Sequence, residues 1–159
     1  MQFVIMTPNR KAQLEALGRI VEAMSNVELN VMLSFSMMAK IEIGVIQSML
    51  AGESIGKILA MLESVFAYKV KDEQLLKPFS LALDKLRKSI KARNDIMHSI
   101  LFVSDAESIH RLKISKGGNE MPVKWDPVDV DINGLNKIAD DIMYANQEFI
   151  HFFTQHFTV

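Results

Sequence analysis

The chain has 159 residues, 49% of them apolar, with 18 basic and 19 acidic side chains and a formal net charge of −1. That length and apolar share fit a single domain, residues 1–159, with its own core, and the near-neutral total excludes a globally basic polyanion binder. The absence of cysteine excludes disulfides and thiolate metal sites and suits a reducing cytoplasm.

Met1 to Met6 is apolar but short, lacks a basic flank and soon meets Pro8, Arg10 and Lys11, so it does not read as a signal peptide. Thr7 and Pro8 mark a helix start, with Thr7 as cap and Pro8 as first helical residue. From there Leu14, Leu17, Val21, Met24, Val31, Phe35 and Met38 keep steps of three, four or seven. One or two helices cover residues 8–50, and one long bent helix is the simpler expectation. The most apolar stretch, Val31 to Leu50, is interrupted by Lys40 and Glu42, which argues against a membrane span. Glu28 falls inside the apolar stripe. Either it reaches water at the stripe's edge, or it pairs with Arg93 or His98, because an unpaired buried charge is costly.

Ala51-Gly52-Glu53-Ser54 is the first clear break. Glu53 or Ser54 starts a second helix, Ile55 to about Ala67, with Ile58, Leu59, Leu62, Val65 and Phe66 inward. After a charged connector, a long amphipathic helix begins near Leu75, tolerates Pro78 near its first turn and runs to about Phe102. Its core-type positions are Phe79, Leu83, Leu86, Ile90, Met97 and Leu101. Basic residues crowd its second half: Lys85, Arg87, Lys88, Lys91 and Arg93. From Asp84 to Lys124 nine Lys/Arg stand against five Asp/Glu, a net +4, whereas Asp126 to Glu148 carries six acidic residues and one Lys, a net −5. The positive segment is either an ordinary solvated face or a phosphate-attracting surface, on which Lys88, Lys91 and Arg111 are the candidate substrate contacts.

Ser104 to Ser108 is a polar turn. His110 to Ser115 alternates polar and apolar residues, Lys116 to Glu120 tolerates a tight turn, and Met121 to Trp125 returns, which predicts a small β-hairpin closed by Asp126-Pro127. Asp131 or Asn133 caps a last helix with Leu135, Ile138, Ile142, Ala145, Phe149 and Phe152 on its apolar side. His151 and His156 are five apart, the wrong spacing for a shared helical metal site, so no metal and no cofactor is expected. The aromatic tail from Phe149 to Phe153 is core or buries against a second subunit. The expected fold is thus all-α: an antiparallel bundle of about four long helices, with a small hairpin before the last.

Late in the third of these helices lies Lys91-Ala92-Arg93-Asn94-Asp95-Ile96-Met97-His98-Ser99. Asn94 and His98 are i,i+4 and share a line, while Arg93 occupies the same sector of the helix end. An imidazole can act as acid or base near neutrality, and a guanidinium offers a fixed fork for a charged phosphoryl group. Arg-Asn-x3-His on such a helix, followed by a hairpin and a last helix, resembles the signature of the HEPN superfamily of small α-helical domains.

The resemblance implies a metal-independent endoribonuclease, with His98 as acid or base and Arg93 on the phosphate, and Asn94 is a candidate to orient the imidazole or bind a phosphate oxygen. Glu28 joins these as a candidate that fixes the Arg93 fork. It further implies a homodimer whose two motifs face each other, RNA as substrate, and a toxin or defence setting with an antitoxin or other protein partner. Leu101 stands where one toxin branch of the superfamily carries a tyrosine, so the chain is not placed in that branch. The alternative is a non-catalytic HEPN-like interaction protein, in which Glu28, Arg93, Asn94 and His98 form a buried polar network.

Overall fold

Pro8 opens the first helix, where its missing N–H costs nothing, and helices then follow wherever the apolar steps of three and four run. A computed structural model describes residues 8–97, 100–103, 109–116, 123–129 and 131–157, with only the backbone described in the three strands. The order is α1 (Pro8–Ala39), α2 (Ile43–Leu50), α3 (Ile55–Lys69), α4 (Glu73–Met97), β1 (Ile100–Val103), β2 (Ile109–Lys116), β3 (Val123–Asp129) and α5 (Ile132–His156). The described chain is predominantly helical. It divides into two compact units, one of Met1–Val21 with Lys91–Asp140 and one of Glu22–Ile90 with Asp141–Val159.

The long helix expected over residues 8–50 is two helices, bent by 115° at Lys40–Glu42. Ile41 N–H donates to the Ser36 carbonyl and Lys40 N–H to that of Met37, while Lys40 adopts φ 58°. This is a Schellman ending, with lysine where glycine is usual. The Ser36 hydroxyl donates to the Ile41 carbonyl at 2.5 Å, and the Lys69 ammonium donates to the Ala39 carbonyl at 3.3 Å. Lys40→Gly relieves the left-handed strain but frees the unfolded chain, so it is expected to change stability by no more than about 1 kcal/mol, towards greater stability. Lys40→Val, β-branched at positive φ, is expected to lose more than about 1 kcal/mol by urea denaturation.

The first half of α1 faces otherwise than expected. Gln13, Ala16 and Ile20 are buried, whereas Leu14 and Val21 are exposed and Leu17 is half-buried. The inward stripe lies one residue, or 100°, away from the one the large apolar residues suggest, because a small alanine and an amide take two of its places. Beyond that turn Met24, Val31, Phe35 and Met38 are buried as expected.

Ser54 caps α3, accepting from the Lys57 N–H at 3.3 Å, and Ile58, Leu59, Leu62 and Phe66 are buried, with Val65 half-buried. Asp72 starts α4, its carboxylate accepting from the Gln74 N–H at 2.9 Å, so Pro78 sits in the second turn rather than near the first. Asp131 caps α5 through a hydrogen bond from the Gly134 N–H. Leu135, Ala139, Ile142, Ala145, Phe149, Phe152 and Phe153 are buried along it, and Ile138 is half-buried.

In the second unit the ends of α3, α4 and α5 meet in a phenylalanine cluster. Phe66 stacks on Phe79 with centroids 3.8 Å apart at 16°, and Phe153 meets both edge-on at 6.4 and 5.8 Å. The aromatic tail is therefore core. Lys85 and Glu148, at 2.6 Å, and the Ser89 hydroxyl on the Asp141 carbonyl, at 3.3 Å, set α4 and α5 antiparallel. In the first unit Arg19 bonds both Asn136 and Asp140 at 2.6 Å, joining the start of α1 to α5.

Helix α4 ends at Met97 and does not reach Phe102. Ile100–Val103 instead forms β1, paired antiparallel with β2 (Ile100 opposite Leu112, Val103 opposite Ile109), and β2 pairs in turn with β3. Four consecutive β-branched, aromatic or leucine residues fit a pleated strand, and long-range pairing overrides the helical continuation. Strand β3 runs on through Pro127 to Asp129, because an edge strand can spare one N–H.

Candidate active site

Helix α4 brings the motif to its last turn. Leu83, Leu86, Ile90 and Ile96 are buried. At 100° per residue they define an arc with Arg93 near its middle, so a guanidinium occupies what the periodicity marks as a core position. Met97, expected inward, is exposed, and Ile96 takes its place. Arg93 and Asn94 are both half-buried, and Arg93 Nη1 donates to Asn94 Oδ1 at 2.9 Å. Arg93 Nε is shut away from solvent without an acceptor among the described residues. A buried donor of a charged group left unpaired costs on the order of 1–3 kcal/mol, so this edge of the guanidinium calls for an anionic or carbonyl oxygen.

His98 lies outside the described residues. Arg111 is in β2, opposite Leu101 and Val128, and its side chain is likewise outside the description. Lys88 and Lys91 are exposed on α4. Two other basic residues of its second half are engaged: Lys85 with Glu148, and Arg87 with Glu63 at 2.6 Å and Asp84 at 3.2 Å. The hydrogen bond to Glu148 holds the Lys85 ammonium above its ordinary range, and that to Glu63 does the same for the Arg87 guanidinium. The positive surface of α4 is thus smaller than its count of basic residues.

No family model matches the chain, and no curated protein or solved structure is significantly similar to it. The site must be read from its own geometry.

Glu28 corrects the second alternative of the sequence reading. It is exposed, while Val27 and Val31 carry the inward face of α1, so its carboxylate needs no buried cation. Glu28→Ala is expected to leave the melting temperature nearly unchanged, within about 0.5 kcal/mol of stability, where a buried pair would have cost several.

Gln13 was missed. It is fully buried, accepts from Arg10 Nη1 at 2.5 Å, and its Nε2 has no acceptor among the described residues. Its signal was positional, three before Ala16 and seven before Ile20, and was masked by the larger Leu14 and Leu17. His151 and His156 line an open groove of about 310 Å³ with Pro78, Leu81, Lys85 and Glu148. Among the described residues no three His, Asp or Glu side chains gather as a metal site would need.

Proposed function

We propose that the chain is a HEPN-like domain, an antiparallel helical bundle acting as a metal-independent endoribonuclease in a homodimer. The observation that carries the reading is Arg93: a guanidinium in the core-facing arc of α4, pinned by the next residue, with one donor unmatched among the described residues. That placement suits a phosphate contact, since the fork is directed before the ligand arrives. The half-open setting of Arg93 and Asn94, and the exposure of Glu28, weigh against the sealed four-residue network of the interaction-protein reading.

In the proposed reaction the 2′-hydroxyl of RNA attacks the adjacent phosphorus and the bond from phosphorus to the 5′-oxygen breaks. One imidazole takes the 2′ proton and another returns a proton to the departing oxygen, while Arg93 meets the charge on the phosphorane. Each chain supplies one motif histidine, His98, so two copies complete the pair. Lys88, Lys91 and Arg111 are the proposed contacts to flanking phosphates. A cytoplasmic toxin or defence role, with a protein that restrains the nuclease, is the proposed setting. Purified protein incubated with single-stranded RNA in EDTA should yield fragments ending in 2′,3′-cyclic phosphate, and 2′-deoxy substitution at the cut should protect the strand. RNA left intact at protein excess would overturn the reading.

A further inference from the structure

As far as Glu28 the exposed side of α1 mixes Leu14 and Val21 with polar and charged residues, and beyond Glu28 the polar ones drop out. From Leu29 to Ala39 every exposed position is a large apolar residue: Leu29, Leu33 and Met37 are 47%, 41% and 37% exposed. The series continues at the same step of four through Ile41 in the elbow to Val45 and Met49 in α2, which are 36%, 47% and 62% exposed. Met37 and Ile41 both line the hollow of about 610 Å³ at the elbow, which joins the two rows. Between Leu29 and Ala51 the only charged residues are Lys40 and Glu42.

We infer that this elbow-shaped apolar face of α1 and α2 is the surface through which two copies of the chain associate; the inference rests on the homodimer in the reading above. Three arguments select a second copy as occupant. The six side chains leave on the order of 500 Å² of apolar surface in water, at the upper end for a monomer. Two such faces meeting remove on the order of 1,000 Å², about the least that a specific interface needs. The face also carries one Lys and one Glu, so no like-charge repulsion opposes contact with itself. A bilayer is the poorer match: a helix lying on lipid flanks its apolar side with several basic residues, and here Lys40 is balanced by Glu42. The two methionines suit a contact in which side chains must adapt to their own copies.

Light scattering across micromolar concentrations tests the surface, using Leu33→Glu and Met49→Glu, with Tyr68→Glu as an exposed control at the end of α3. Wild type and Tyr68→Glu should run at about twice the chain mass of 18.0 kDa, and each stripe variant should raise the dimer dissociation constant at least tenfold. Because a charge could disturb folding, Leu33→Cys provides a second readout in a chain that has no other cysteine. Its maleimide labelling should slow as protein concentration rises through the dimer transition. A wild-type dimer that survives both glutamate variants and labels at a concentration-independent rate would overturn the surface alone. A wild-type monomer would overturn the homodimer and the surface together, and its flotation with phosphatidylcholine vesicles would assign the face to lipid instead.

Discussion

Arg93→Ala is expected to abolish most RNA cleavage while leaving a folded protein. Removing one directed donor from a charged transition state costs on the order of 10²–10³ in rate, and a guanidinium on a phosphorane falls in that class. Arg93→Lys should recover little, because a point charge cannot reproduce the fork, and Asn94→Ala should give an intermediate loss by releasing the Nη1 tether. His98→Ala, which removes proton transfer, is expected to lose 10²–10⁴-fold. The rate should be read in EDTA beside melting curves for the same proteins. Stability sorts the readings: in the buried-network alternative, Arg93→Ala lowers the melting temperature and wild type cuts nothing. Cleavage at wild-type level in His98→Ala would assign the activity to a contaminant.

The helical class and most of the inward faces were legible because burial and helix period agree over many turns. Ser54, Asp131 and the rows Ile58 to Phe66 and Leu135 to Phe152 follow that rule. Three features were not legible, each for its own reason. The break at Lys40 depends on a left-handed residue that is not glycine, and lysine gives no warning of it. The inward turn of Gln13 depends on an amide tolerated in the core, which apolar counting assigns to the surface. The end of α4 at Met97 depends on pairing between β1 and β2, residues six to twelve apart whose partnership no local pattern announces. At the candidate site, residue type drew attention to Arg93 and Asn94, and the helix phase explains their setting. Glu28 is exposed rather than in the core stripe because one step of 100° separates it from the buried Val27.

Phe66→Ala is expected to be the most destabilising single truncation in the second unit. Phe66 is fully buried and is the hub of the aromatic cluster: it stacks on Phe79 and meets Phe152, Phe153 and Phe157 at centroid distances of 5.8, 6.4 and 5.6 Å. Its ring cannot be replaced by a neighbour's movement without unstacking Phe79, so the site collapses poorly and the cavity term is large. Truncation of a buried phenylalanine costs roughly 3–5 kcal/mol, a fifth or more of the roughly 5–15 kcal/mol stability of a typical domain. For a chain of this size that corresponds to roughly 6–20 °C in melting temperature. Phe66→Leu should cost much less, because it keeps most of the volume and loses chiefly the ring contacts. Tyr68, two residues on and 77% exposed, provides the control: Tyr68→Ala should stay within about 0.5 kcal/mol. Equal melting temperatures for Phe66→Ala and Tyr68→Ala would show that the cluster carries no more of the fold's stability than its solvent-facing rim does.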